Sequence, residues 1–397
     1  MNRSRVFIAL ALALAAAALA TPSARADATL VQVTGFGSNP GNLAMYAYRP
    51  AGLAANAPLV VALHGCTQSA SDYFSHSGWP KYADLYRFAL VLPQQSAANN
   101  SSSCFNFFQP ADSSRGQGEA LSIKQMVDHA VSSYALDRGR VYVTGLSAGG
   151  AMTSVMLATY PDVFAGGAVI AGLPYRCATD TSSAYSCMFG PVSKTPQQWG
   201  DLVRNANPGY GGPWPKVSIW YGTSDATVVP ANATELRDQW TNVWGISATP
   251  ASTSALPAAT TRSRFGTGQV ALYKVDGIGH GTPIDPGSAE AQCGSAGAYF
   301  IDSICSSYYI AADFGLTASP PPPASASSSP SPSASAAPQP CFTASNYAHT
   351  VAGRAYQSLG YTYANGSNQA MGLWNVAVIH TLRQTGPNYY ILADGQC

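Results

Sequence analysis

Residues 141–153 read VYVTGLSAGGAMT. Val141-Tyr142-Val143 predicts a short buried strand, and Ala148–Thr159 predicts a helix. Between them stands Gly145-Leu146-Ser147-Ala148-Gly149, a G-x-S-x-G pattern. Alone, this pattern is common. Between a strand and a helix it becomes a nucleophile elbow, whose glycines permit a sharp turn that exposes Ser147. The helix N-terminus that follows favours developing negative charge. The plainer alternative is a tight turn in which Ser147 only caps the helix.

Outward from the elbow, strand and helix signals alternate. Pro58–Leu63 and Phe88–Leu92 are continuous apolar runs, as buried strands are. Residues 119–134 place Ala120, Ile123, Val127, Ala130, Val131 and Tyr134 on one helical face. Ala168–Ala171, Val217–Tyr221 and Val270–Val275 predict further strands. Thr29–Val33 and Leu43–Tyr48 flank the turn signal Asn39-Pro40-Gly41 and predict an opening hairpin. The alternation predicts an α/β fold, a mainly parallel sheet covered by helices.

A serine nucleophile needs a base and an orienting acid, which in this architecture follow it in the order Ser, Asp, His. Of the six histidines, His64, His76 and His129 precede Ser147, and His349 and His380 lie near the C-terminus. His280 remains, in Gly277-Ile278-Gly279-His280-Gly281 just after a predicted strand. Asp225, after the Val217–Tyr221 strand, is the preferred acid; Asp276 is second and Asp201 weaker. An oxyanion hole needs two N–H donors. Ala148 follows the nucleophile and supplies one; Cys66, in Leu63-His64-Gly65-Cys66, is expected to supply the other. His64 then holds this loop and is not a base.

The chain has 397 residues, of which 10% are charged, against about 25% in an average soluble protein. Its 20 basic and 19 acidic side chains argue against nucleic acid as a partner, since phosphate binding needs clustered Lys and Arg. Residues 1–26 read as a secretory signal peptide, with Arg3 and Arg5, an apolar run and the exit Ala24-Arg25-Ala26. The expected location is therefore extracellular, with no membrane partner. Eight cysteines without zinc spacing point to disulfides, with no metal and no cofactor expected. Nearest-neighbour pairing would join Cys66 to Cys104, Cys177 to Cys187, Cys293 to Cys305 and Cys341 to Cys397. Residues 317–340 are Pro/Ser/Ala-rich and cannot bury a core. The expected organisation is a leader (1–26), a large domain (27–316), a linker (317–340) and a small domain (341–397). In the small domain, Trp374 and its many tyrosines either adsorb to an apolar surface or fill the core.

Leu63-His64-Gly65-Cys66-Thr67-Gln68, the GLSAGGAMT run, Tyr160-Pro161-Asp162-Val163-Phe164 and Gly279-His280-Gly281-Thr282-Pro283 together resemble extracellular poly(3-hydroxybutyrate) depolymerases. The wider group is the α/β-hydrolase esterase family that also holds feruloyl and acetylxylan esterases. The resemblance spans nearly all of 30–316, and a histidine motif upstream of the serine matches the type 1 arrangement. Residues 341–397 resemble the substrate-binding domain of those depolymerases, whose His and Arg would fall on His349 and Arg354. The tract between the domains departs from the Thr-rich or fibronectin-like connection of many relatives. The resemblance implies a monomeric serine esterase acting on an insoluble polyester surface. The rival expectations are a feruloyl or acetylxylan esterase and, in another class, a non-catalytic surface-binding protein with a degenerate hydrolase domain.

Overall fold

The apolar runs become the middle of one large sheet. The protein is represented by a computed structural model that describes residues 29–317, 340–358, 360–367, 369–386 and 389–395. The leader at 1–26, most of the 317–340 tract and Cys397 lie outside the described residues. The chain divides into two compact units, residues 1–323 and 324–397.

In chain order the first unit contains β1 (Val31–Val33), β2 (Ala44–Tyr48), β3 (Leu59–Leu63), α1 (Ala70–His76), α2 (Trp79–Tyr86), β4 (Ala89–Gln94) and α3 (Gly118–Ser133). Next come β5 (Val141–Leu146), α4 (Ala148–Thr159), β6 (Gly166–Ile170), α5 (Thr181–Phe189), α6 (Pro196–Arg204), β7 (Lys216–Gly222) and α7 (Ala231–Trp244). It ends with β8 (Ser252–Leu256), β9 (Thr260–Phe265), β10 (Val270–Val275), β11 (Thr282–Ile284), β12 (Phe300–Asp302) and α8 (Ser306–Asp313).

The sheet order is β1-β2-β4-β3-β5-β6-β7-β10-β9-β8. The six strands from β4 to β10 pair in parallel, and antiparallel strands flank them on both sides. β1 and β2 form the expected antiparallel pair, with Val31 opposite Ala47. Successive residues of a strand face opposite sides. Leu59, Val61 and Leu63 therefore join one apolar layer with Ile123, Met126 and Met156. Val60 and Ala62 join the other with Leu146, Trp220 and Ile310. Burial on both faces explains why the central strands read as unbroken apolar runs. β8 and β9 were not predicted. They read STSAL and TTRSRF, at the edge of the sheet and next to it, and their half-exposed positions leave no apolar run to detect.

The structure pairs Cys66 with Cys104, Cys177 with Cys187 and Cys293 with Cys305. Cys341 is also disulfide-bonded.

The second unit contains β13 (Cys341–Ser345), α9 (Asn346–Val351), β14 (Ala355–Ser358), β15 (Tyr361–Ala364), β16 (Ala370–Leu373), β17 (Ile379–Gly386) and β18 (Tyr389–Leu392). They form two small antiparallel sheets, β13-β17-β18 and β14-β15-β16. Their shared core is slight: Ala355, Ala364, Met371 and Leu382, with Tyr390 and Leu392 packed against it.

Candidate active site

Ser147 occupies the turn between β5 and α4 with φ 58° and ψ −117°. Two glycines make this turn fit. A β-carbon on Gly145 would stand 2.5 Å from the Gly149 backbone, and one on Gly149 would stand 2.4 Å from the Leu63 carbonyl. The G-x-S-x-G spacing thus lets α4 cross directly over the end of β3. Every residue of α4 is buried, so the elbow rests on a fixed support. The Ser147 N–H donates to the Ile170 carbonyl at 2.9 Å, which ties the turn to the end of β6.

Asp225 lies just beyond β7 and is buried. One carboxylate oxygen accepts from the Thr227 and Val228 N–H groups at 2.8 and 2.9 Å. The other meets His280 Nδ1 at 2.8 Å. The loop that carries His280 lies across the end of β7. There the Ser224 N–H donates to the Ile278 carbonyl, and the Gly277 N–H donates to Thr223 Oγ1. Asp276 instead forms an ion pair with Lys274, and Asp201 one with Arg204. β5 and β7 are separated only by β6, so their axes are about 10 Å apart. Ser147 and the His280–Asp225 pair therefore share the carboxyl edge of one sheet. Among the described residues no hydrogen bond joins the Ser147 hydroxyl to His280.

A cavity of about 350 Å³ opens beside Ser147. Cys66 and Ala148 line it with Ser147, as do Phe107, Leu173, Tyr185 and Met188. Among the described residues the Cys66 and Ala148 N–H groups have no hydrogen-bond acceptor, which leaves two donors beside the serine. The loop of Cys66 is held from three sides. Its disulfide to Cys104 and the Thr67 N–H bond to the Ser102 carbonyl fasten it to the far cavity wall. Gln68 Oε1 accepts from the Gly65 N–H at 2.8 Å. His64 is wholly buried, with Nδ1 2.7 Å from the Gly65 carbonyl and Nε2 accepting from the Gln95 N–H. Burial pushes its pKa down to about 4, and the two bonds fit a neutral ring protonated on Nδ1.

Sequence reasoning missed Glu119. Its carboxylate is buried at the start of α3 and accepts from Gln95 Nε2, the Asn106 N–H and Asn106 Nδ2. Burial pushes it up to about 8 although those donors favour the charged form. It links the His64 anchor to the cavity wall. The available signal was one acidic residue four positions before Ile123, on an otherwise apolar helical face.

In the second unit the expected binding residues separate. His349 is buried; Nε2 faces the His380 carbonyl at 3.0 Å, and Nδ1 accepts from Arg354 Nε at 3.1 Å. The His349 ring faces inward and positions Arg354, whose guanidinium lies over Phe342. Trp374 is 42% exposed and packs beside half-exposed Tyr347.

The chain is 56% identical over 291 residues to poly(3-hydroxyalkanoate) depolymerase C of Paucimonas lemoignei, covering 72% of this chain and 70% of that one. An acetylxylan esterase of Coprinopsis cinerea is 41% identical over 261 residues, 64% of this chain and 69% of that one. The solved acetyl xylan esterase from Aspergillus awamori superposes with a TM-score of 0.60 at 33% identity, covering 64% of this chain and 94% of that chain. Fold, elbow and relatives together define a serine-type carboxylic ester hydrolase of the α/β-hydrolase fold. The chain belongs to the esterase PHB depolymerase family, whose model matches residues 43–264.

Proposed function

We propose that the protein is a secreted depolymerase that hydrolyses the ester bonds of poly(3-hydroxybutyrate) to oligomers or monomer. Ser147 attacks the ester carbonyl and His280 takes its proton. Asp225 holds the imidazole and stabilises its cation, and the Ala148 and Cys66 N–H groups bind the oxyanion. His280 then protonates the departing alcohol, and water resolves the acyl-enzyme. Residues 27–316 carry this chemistry. Residues 341–397, tethered by 317–340, hold it at the solid polyester and raise its local concentration there.

The observation that carries this reading is the 56% identity to a polyhydroxyalkanoate depolymerase, against 41% to an acetylxylan esterase. The exposed tyrosines and Trp374 of the second unit support an apolar solid as partner. The test is product analysis after incubation with poly(3-hydroxybutyrate) granules, beside a feruloyl ester and acetylated xylan. Soluble hydroxybutyrate products are expected from the granules. Turnover of the plant-wall esters without granule products would overturn the polyester reading.

A further inference from the structure

Tyr299 stands beside His280 in a backbone conformation that its side chain disfavours. Its φ is +64°, in the left-handed region where a β-carbon crowds the following carbonyl and glycine is at ease. The neighbours hold it there. Its carbonyl accepts from the Thr282 N–H at 2.8 Å, and Gly297 and Phe300 exchange backbone hydrogen bonds around it. Gly281 makes the approach feasible, since a β-carbon there would stand 2.8 Å from the Tyr299 oxygen. Residue 299 is thus latched onto the two residues that follow His280. Its ring is nevertheless in the open. The centroid lies 6.1 Å from that of the imidazole, edge-on at 77°, and the residue is 46% exposed. A strained, solvent-facing aromatic beside the general base is an outlier that calls for a function.

We propose that Tyr299 forms the subsite for the alcohol half of the ester, an assignment that rests on the roles given above to Ser147 and His280. The chemistry sets the sides. In acylation the bond from Ser147 Oγ to the carbonyl carbon forms and the ester C–O bond breaks. The proton that His280 took from Ser147 passes to the departing oxygen. The alcohol half therefore leaves on the imidazole side of the carbonyl carbon, where Tyr299 stands. The acyl half occupies the cavity lined by Ser147, Leu173, Tyr185 and Met188. In a polyester the alcohol half is the next hydroxyalkanoate unit. Its methyl and methylene groups suit the face of a ring, and its carbonyl can accept from the phenol.

Tyr299→Gly removes the ring, takes φ +64° without strain and keeps the carbonyl that Thr282 needs. The assay compares kcat/KM for two esters of 3-hydroxybutyric acid, one with a second 3-hydroxybutyrate unit as its alcohol and one with methanol. The dimer ester is expected to lose about tenfold and the methyl ester about twofold. Tyr299→Phe, which keeps the ring, is expected to retain most of the preference for the dimer. Equal losses on both esters would assign Tyr299 to holding the His280 loop and overturn the subsite; no loss on either would overturn it too. A wild-type enzyme active only on acetyl or feruloyl esters would mark failure of the polyester reading. The same pairing of bulky and methyl alcohols on that acid then decides the subsite.

Discussion

Apart from Tyr185, Phe189 and Tyr299, which the first unit exposes, the two units treat their large aromatic residues in opposite ways. In the first, Trp79, Trp199, Trp220 and Trp240 are buried with Tyr73, Tyr82 and Tyr273. In the second, Tyr347, Tyr356, Tyr361, Trp374 and Tyr389 are each more than 40% exposed, while the core is built around two alanines, a methionine and a leucine. A large sheet buried on both faces has room for indoles and phenols and gains stability from them. A module of under sixty residues has little interior, so the same side chains end outside. Exposed apolar side chains in such density mark a surface for association. In the proposed function the first unit fixes a few atoms in place, and the second presents area.

This contrast breaks most cleanly at Ser147. Ser147→Ala should reduce hydrolysis of soluble esters and of solid polymer alike, by on the order of 10⁶-fold. Adsorption to granules should persist, because the second unit is untouched. Unchanged clearing of a polymer suspension would sink the proposed nucleophile. Asp225→Asn should follow with a loss of about 10⁴-fold in kcat on both substrates, since the wrong imidazole tautomer is then favoured. A loss confined to polymer would place Asp225 outside the chemistry.

Termination after residue 316 sharpens the comparison from the other side. Attack on granules should fall roughly tenfold to hundredfold, the advantage that tethering confers, while soluble short-chain esters report a folded catalytic unit. Equal loss on both substrates would show that the second unit belongs to the catalytic fold.

Much of the first unit was legible because the geometry of the candidate site is tied to local sequence. Gly145 and Gly149 are required by backbone contacts within a few residues of Ser147. Asp225 and His280 follow β7 and β10, whose apolar runs are readable. Glu119 and Tyr299 were not legible, because their roles arise from contacts made across the chain. Glu119 meets Gln95, and Tyr299 meets Thr282. The second unit was less legible still. Its strands are aromatic on exposed positions, so composition could not divide core from surface. His349 in particular falls inward through its bonds to the His380 carbonyl and Arg354.

The buried histidines offer a smaller effect that both units share. His64 has a folded pKa of about 4, below its ordinary 6.5, and burial also lowers His349. For each, the unfolded chain takes up a proton first as pH falls, so stability is lost on acidification from about pH 6.5. For His64 the loss is complete below pH 4 and amounts to roughly 3 kcal/mol. Glu119, raised to about 8, works in the opposite sense over the same range, so the histidine's share is read as the difference between wild type and variant in denaturant midpoints at pH 7 and pH 4.5. His64→Gln should flatten the slope, and an unchanged slope would assign the acid sensitivity elsewhere.

Salt gives the smallest expected effect and the finest test of the contrast. Residues 341–397 contain two arginines, Arg354 and Arg383, and one acid, Asp394. Asp394 already meets His380 Nδ1 at 2.6 Å, and Arg354 is engaged by His349 and Phe342. Little free charge remains to be screened. Apolar adsorption, by contrast, survives salt and is strengthened by strongly hydrated anions. Granule binding should therefore change by less than about twofold between roughly 0.01 M and 1 M sodium chloride, although the Debye length falls about tenfold. Trp374→Ala should weaken binding at every salt concentration, as loss of exposed aromatic area requires. A steep loss of wild-type binding with salt would instead assign adsorption to Arg354 and Arg383, and the exposed tyrosines would then need another explanation.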